Sequence, residues 1–421
     1  MYFNNLLITF SLAKIYAYET MKYSLGYTDK TCYLRNLINK GSKHNVLLIK
    51  IAQSMMGYGL FSSDAIEIIK QNTHSVCVED EEIDIILLEK IKKDYNITLL
   101  SETHFHAGMI AVVYLGLMDD KKVVIKIKRR NIENRLIRAC EHVDFIYRTV
   151  NIFSRFSNFI KLIMLSIQSI TGTAPYIISQ CNFDVEIDAL ITTKKEIADY
   201  PEILQDIIIP SVYNKPTEVE NVDFIIMEYL EGIFSNEVDS NKRGEYLEQI
   251  LKYSILMGWF FTYYHTDMHC GNLICMKDHK VGLIDFGMVI KMTEFTKEGL
   301  RFITDINQNR TEKKYAYKCI NYICKEKTDL TLLNDTQISE LNLIINEIIY
   351  NISIGCFTER DIVIAIEKFR DILKKKMIIN LEMFIILISA AMLNSSLRVL
   401  SNEDTTIIDN TFQKVCMEIM D

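Results

Sequence analysis

The chain is 421 residues long, 49% hydrophobic and 24% charged, with a formal net charge of −8. That length holds a full core and two lobes, and the composition is that of an ordinary globular protein. The acidic balance excludes nucleic acid as a bulk partner, because neutralising phosphates takes a basic face.

Residues 1–40 read as helix, with Lys, Tyr and Leu at helical spacing, until Gly41-Ser42 breaks the pattern. The apolar patch Leu6–Ala13 has no basic stretch ahead of it and no A-x-A-like site behind it. It therefore reads as an amphipathic helix packing on the body, not as a signal, and it lacks the Arg/Ser bias of a mitochondrial presequence. Val46–Met56, Asp64–Gln71 and Glu81–Tyr95 are three further helices.

The period then changes. His106–Leu117 and Lys122–Lys128 are β-rich runs separated by Met118-Asp119-Asp120-Lys121, a hairpin pattern with Asp119-Asp120 in the turn. A helical tract runs from Ile132 to about Ile170, and Asp184–Ile197 is another helix. Asp223–Tyr229 is a buried strand ending at Glu231-Gly232, and Glu245–Tyr264 is a long apolar helix. Strand Val281–Asp285 follows, and from about Thr293 the chain is all helix. Met383–Leu397 is uncharged but only 15 residues long, so it predicts a buried helix and no integral membrane span. Ten cysteines without a C-x-x-C pair point to buried, reduced thiols in a reducing, intracellular compartment. A small sheet lobe followed by a helical lobe is an α+β arrangement with a nucleotide bound in the cleft.

Tyr264–Gly287 carries the chemistry. Asp267 is followed by Asn272 five residues later and by Asp285 thirteen after that, at the end of a strand and before Phe-Gly. Kinase-type sites use this order: one carboxylate to orient a hydroxyl or take its proton, and two oxygen ligands, here Asn272 and Asp285, on magnesium. Lys126, on the second hairpin strand, is placed to reach nucleotide phosphates, with Lys128 on the same face. Ala107 and Gly108 precede the hairpin, where small residues let backbone approach an anion. A partner acid for Lys126 would come from Asp184, Glu186 or Asp188; 184 and 188 share a helix face and 186 lies away from it. His265 and His269 are four apart, but no third zinc ligand accompanies them, so His265 is expected to brace a loop.

These residues, in this order, resemble the UbiB family, the aarF-domain or ADCK atypical kinases. YHTDMHCGNLI is similar to the family's F-H-A-D-P-H-P-G-N-L-L, and VVIKIKRRNI to V-A-V-K-V-Q-R-P-G-I. FIIMEYLEG resembles the hinge strand V-L-V-M-E-W-x-E-G, which implies that Glu228 and Tyr229 flank the adenine. FDVEIDA resembles D-F-x-x-E-A, which implies Asp188 as the ion-pair acid. IKIAQ matches the family's K-x-G-Q helix at Lys50 and Gln53, and HAGMIAVVYLG its Ala-rich loop S-A-S-I-A-Q-V.

The resemblance implies a two-lobed protein-kinase-like fold. Its parts are a helical extension at 1–100, a β-containing N-lobe with a helical insert at 101–231, and a helical C-lobe at 232–421. It implies ATP and Mg2+ as cofactors, with Lys126, Asp188 and Asp267 catalytic, and contacts to the nucleotide from Lys50, Gln53, Ala107, Gly108, Glu228 and Tyr229. It also implies hydrolysis or phosphotransfer to a small molecule instead of a protein, and a link to quinone or isoprenoid-lipid metabolism. A lipid or membrane-surface contact and a soluble, peripheral or mitochondrial location follow from the same resemblance. A nucleotide-binding pseudokinase acting as a regulatory scaffold is the second reading, motivated by Ala52, Gly108, Asp188, Met268 and Cys270 where the family has other residues.

Overall fold

The computed structural model describes all residues except 1, 49, 52–77, 151–166, 168–173, 215–221, 306–312, 325–332, 374–379 and 421. The predicted helix Asp64–Gln71 and most of Val46–Met56 lie outside the described residues. The chain divides into two compact units, one of Met1–Asp184 with Tyr213–Glu228 and one of Val185–Val212 with Tyr229–Asp421.

The first unit opens with helices α1 (Tyr2–Ser24) and α2 (Lys30–His44). Asp29 caps α2 by accepting the Cys32 N–H at 2.7 Å. Helix α3 (Ile85–Asp94) starts later than its periodicity predicts, because the Asp84 side chain takes the Leu87 N–H and fixes the N-terminus there. The segment Asp80–Glu82 before it is a single 3-10 turn.

The antiparallel sheet that follows runs in the order β1 (Ile97–Leu99), β3 (Ala111–Met118), β4 (Lys121–Lys128), β6 (Phe224–Glu228), with β2 (His106–Ala107) also paired to β3. His106–Leu117 is thus two strands, broken at Gly108–Ile110. The β3–β4 turn is two residues long, with Met118 opposite Lys121 and positive φ at both Asp119 (48°) and Asp120 (62°). That is the mirror-image turn a right-twisted hairpin requires, built from Asp-Asp in place of Asn-Gly. Val112, Tyr114, Val123, Ile125, Ile127 and Ile226 face a core closed by Leu88 and Ile91 of α3. Gly116 is needed in β3, since a Cβ there would sit 2.6 Å from Ile97 Cγ2.

Helix α4 (Ile132–Val150) carries His142, which is fully buried. Its Nε2 lies 3.1 Å from Thr9 Oγ1 of α1 and its Nδ1 3.0 Å from the Asn45 side-chain amide. Thr9 already donates to the Asn5 carbonyl, so Nε2 is the donor to Thr9 and Nδ1 the acceptor from Asn45.

In the second unit lie most of helix α5 (Phe183–Ala198), the short α6 (Pro201–Leu204), and a four-stranded sheet. Its order is β5 (Ile207–Ile208), β10 (Val281–Leu283), β9 (Leu273–Cys275), β7 (Ile233–Phe234), with β5 and β10 parallel. Strands β8 (Tyr263–His265) and β11 (Val289–Lys291) form a separate antiparallel pair. Helix α7 (Gly244–Trp259) buries Leu247, Ile250, Leu251, Tyr253, Leu256 and Met257.

The sequence predicts that α7 continues to Tyr264, but it ends at Trp259. Glu196 accepts both the N–H and the hydroxyl of Thr262 (2.8 and 2.7 Å), and the β-favouring Tyr263-Tyr264-His265 pairs with β11. Helices α8 (Glu294–Thr304), α9 (Lys313–Ile323), α10 (Asp335–Ser353), α11 (Glu359–Leu373), α12 (Leu381–Leu400) and α13 (Thr405–Met420) complete the unit. Among the described residues only α12 is long and apolar enough to cross a membrane, and more than half of it is buried inside the protein. The nine cysteines among the described residues are free thiols.

Candidate functional site

Asp267, Asn272 and Asp285 all lie in the second unit, and strand pairing brings them together. Leu283 of β10 faces Leu273 of β9, so Asn272 and Asp285 flank the same end of that hairpin. The Ile284 N–H donates to the Asn272 carbonyl at 3.1 Å, and Asn272 Nδ2 donates to the Asp267 carbonyl at 2.8 Å. With its nitrogen committed, Asn272 offers Oδ1 as the amide atom for a cation. Asp285 is exposed and holds φ at 59°, a left-handed conformation uncommon for a non-glycine residue and found where a site needs it.

Asp267 is buried, and its Oδ1 has no hydrogen-bond partner among the described residues. Its Oδ2 lies 3.7 Å from His269 Nε2, and His269 Nδ1 accepts the Gly271 N–H at 3.0 Å. A buried carboxylate oxygen without a donor is costly unless a ligand supplies one. A hydroxyl or water at Oδ1 meets that need.

His265 braces this loop, as its sequence context suggests. It is buried, its Nδ1 accepts the Asp267 N–H at 3.2 Å, its Nε2 faces the Ile284 carbonyl at 3.4 Å, and its ring meets Phe286 edge-on at 4.8 Å. Burial holds the imidazole below its ordinary pKa, so it stays neutral with the proton on Nε2. With both ring nitrogens engaged, His265 is no zinc ligand. Among the described residues no group of three or more His, Cys, Asp or Glu is arranged to hold a metal. A cation here would draw on Asn272 Oδ1, Asp285 and phosphate or water oxygens, which is the all-oxygen set that suits magnesium.

Two loop braces carry no sequence signal of their own. Ser389 and Ser396 sit on the apolar helix α12 and donate to the His265 carbonyl (3.3 Å) and the Met268 carbonyl (3.0 Å). Both serines are buried.

Asp188, also in the second unit, is exposed, and its Oδ2 accepts the Tyr263 hydroxyl at 2.6 Å. Burial and that bond push the Tyr263 hydroxyl up to about 12. Glu186 is the buried carboxylate of the acidic trio. Asp184, in the first unit, accepts the Val222 N–H at 3.3 Å. Tyr229 is half-buried.

The remaining candidates belong to the first unit. Lys126 lies opposite Val113 and Ile225 in the sheet, half-buried, with its ammonium 5.5 Å from the Phe183 ring centre. Lys128, on the same face, is held at 2.6 Å by Asp223. Ala107 is fully buried in β2, and Gly108 begins the loop that returns to β3. Arg129 holds that loop in shape: its NH1 donates to the Gly108 and Met109 carbonyls (3.1 Å each), while NH2 pairs with Glu82. Arg129 is buried, and Glu82 also takes Arg135. A Cβ at Gly108 would touch only the Ala111 carbonyl at 3.6 Å, so the loop has room for the family's alanine. Glu228 ends β6 opposite Val123. Lys50 is half-buried in a helical turn after Asn45, and its expected companion Gln53 lies outside the described residues.

Residues 78–316 match the family model described as the ABC1 atypical kinase-like domain, which is the UbiB/aarF family domain. An uncharacterized protein of Synechocystis sp. is 26% identical over 208 residues, which is 48% of this chain. The match spans 29% of that relative's length. Among solved structures, the complex of Rv3197 with erythromycin from Mycobacterium tuberculosis has a TM-score of 0.45 at 12% identity, over 76% of this chain and 83% of that one. The Rio2 kinase–ADP/Mg2+–phosphoaspartate complex from Chaetomium thermophilum has a TM-score of 0.30 at 10% identity, over 84% of this chain and 99% of that one.

Proposed function

Because the chain belongs to the ABC1 atypical kinase-like family, with a kinase-like α+β fold, we propose that it is an ATP- and magnesium-dependent kinase or ATPase. The observation that carries this reading is the buried, partnerless Oδ1 of Asp267 beside Asn272 and Asp285. A carboxylate so placed orients a hydroxyl or water and takes its proton as the phosphoryl group is attacked. Asn272 Oδ1 and Asp285 would hold magnesium, which when bound neutralises charge on the phosphates.

In this reading Lys126 binds the nucleotide's phosphates and Asp188 steadies its ammonium. Ala107 and Gly108 bring backbone to the phosphates, and Glu228 and Tyr229 flank the base. Lys50 and Gln53 limit access, so the acceptor is water or a small molecule and not a protein. The family resemblance extends this to an acceptor in quinone or isoprenoid-lipid metabolism and to a mitochondrial location.

A second reading is a nucleotide-binding scaffold with little turnover, motivated by Ala52, Gly108, Asp188, Met268 and Cys270 where the family has other residues. One assay separates the two. Magnesium-dependent ATP hydrolysis is measured for the wild type, Asp267→Asn and Asp285→Asn, beside nucleotide-induced thermal stabilisation for the wild type and Lys126→Ala. Turnover that both Asp variants lose supports the enzyme. Stabilisation without turnover supports the scaffold, and neither effect would sink both.

A further inference from the structure

Helix α12 is apolar along most of its length, yet it carries a line of polar side chains. Glu382, Ser389 and Ser396 stand seven residues apart, close to two full turns, so the three share one face of the helix. A helical serine often turns its hydroxyl back to the carbonyl four residues earlier. Here both serines give it to the chain around Asp267: Ser389 to the His265 carbonyl at 3.3 Å and Ser396 to the Met268 carbonyl at 3.0 Å. At the start of α8, Glu382 takes the Thr293 N–H (3.4 Å), the Thr293 hydroxyl (3.0 Å) and the Thr296 hydroxyl. Thr296, Ser389 and Ser396 are buried.

The lengths match. Seven helical residues rise about 10.5 Å. Three residues of extended chain rise about 10 Å. Strand β8 pairs with β11, and the Met292 N–H donates to the Thr262 carbonyl at 2.9 Å, which sets Thr293 beside Thr262. The anchors on α12 therefore meet this segment beside Thr262, at His265 and at Met268, three residues of strand for every seven of helix. The helix lies along the segment as a ruler does, and Asp267 falls between its last two marks. Among the described residues Oδ1 of Asp267 has no hydrogen-bond partner, and Oδ2 comes within 3.7 Å of His269 Nε2. The carboxylate is thus placed by the backbone that carries it, and Ser389 and Ser396 hold that backbone on either side.

We propose that Glu382, Ser389 and Ser396 are positioning residues for Asp267. They fix the chain from Thr262 to Met268 at one length and register, and so set where the carboxylate meets the attacking hydroxyl or water. This rests on the reading of Asp267 as the group that orients that hydroxyl. A misplacement of about 1 Å in such a group costs about a hundredfold in rate.

The test uses the full-length protein with Ser396→Ala and Glu382→Ala, and Met383→Ala as the control. Met383 is buried on the same helix, and its truncation opens a cavity without touching the polar line. Magnesium-dependent ATP hydrolysis and amide hydrogen exchange over residues 264–272 are both measured. Ser396→Ala and Glu382→Ala should each lower kcat about ten- to a hundredfold and leave KM for ATP within about twofold. Both should quicken exchange over 264–272 about tenfold. Met383→Ala should lower the melting temperature and do neither. The proposal is overturned if the two polar variants hydrolyse and exchange like wild type, or if Met383→Ala reproduces their losses. A wild type that hydrolyses no ATP defeats the nucleotide reading instead, and exchange then decides alone: quickened exchange in the polar variants upholds the ruler, and unchanged exchange overturns it.

Discussion

Acidification should loosen the attachment of α1 and the Asn45 corner to α4, through His142. The native imidazole is buried and neutral, with Nδ1 accepting from Asn45 and Nε2 donating to Thr9. Asn45 cannot turn its amide over to accommodate a second ring proton, because its Oδ1 takes the Leu47 N–H (2.9 Å) and its Nδ2 gives to the Ala139 carbonyl (3.2 Å). Burial holds the folded-state pKa below the ordinary histidine value. The unfolded chain therefore takes up the proton first. Stability from this group is complete above about pH 6.5 and falls as pH drops below it towards the folded pKa. The loss approaches about 1.4 kcal/mol per pH unit in that window.

The check is urea denaturation of the wild type and His142→Gln at pH 8 and pH 5.5. Glutamine does not titrate and can both accept and donate at this site. Wild type should lose more than the variant over that interval, by up to about 1.4 kcal/mol. His265 is also buried and neutral, but it titrates in both proteins and cancels in the difference. Parallel pH profiles for the two proteins would refute the reasoning.

Three further outcomes follow from packing. Arg129→Met breaks a buried ion pair and frees the Gly108 and Met109 carbonyls, so it should cost about 3 kcal/mol in urea denaturation. It should also expose the Gly108–Ile110 loop to proteolysis, and a loop cut no faster than in wild type would contradict the brace. Gly232→Ala places a Cβ 2.5 Å from the Cys275 carbonyl oxygen and 2.6 Å from Ile274 Cγ2; backbone cannot step aside, so a loss of roughly 2–3 kcal/mol is expected by thermal unfolding. Asp120→Gly relieves a left-handed φ of 62° in the β3–β4 turn and should raise stability by about 0.5–1 kcal/mol, visible as a higher melting temperature.

How much of this was readable beforehand depends on range. The hairpin was legible because alternation and a two-residue turn are local facts, down to Asp119 and Asp120. That Asp267, Asn272 and Asp285 lie near one another follows from their spacing along the chain, since β9–β10 pairing brings the flanking residues together. The end of α7 was not legible. Tyr263 and Tyr264 fit an apolar helix as well as a strand, and only Glu196, 66 residues earlier, decides between them by holding Thr262. Arg129 and Glu82 were missed for a related reason. Charged residues at 82 and 129 read as surface until folding buries Arg129 under the Gly108 loop. Among Asp184, Glu186 and Asp188, helical periodicity separates 186 from the others, and it is Glu186 that is buried, which no local pattern foretells.

The two serines of α12 carry a consequence for how the protein can be divided. The family match stops at residue 316, yet the carbonyls of His265 and Met268 are held from residues 389 and 396, 124 and 128 positions later in the chain. A fragment cut at the domain boundary would keep Asp267, Asn272 and Asp285 and lose the support beneath them. It would also strip the cover from an apolar helix bundle, inviting aggregation. During synthesis the same separation imposes an order. Contacts this distant in sequence form late, so the loop around Asp267 gains its final shape only after residues 389 and 396 have left the ribosome. Helix α12 thus bears on when, as well as how, the loop around Asp267 is finished.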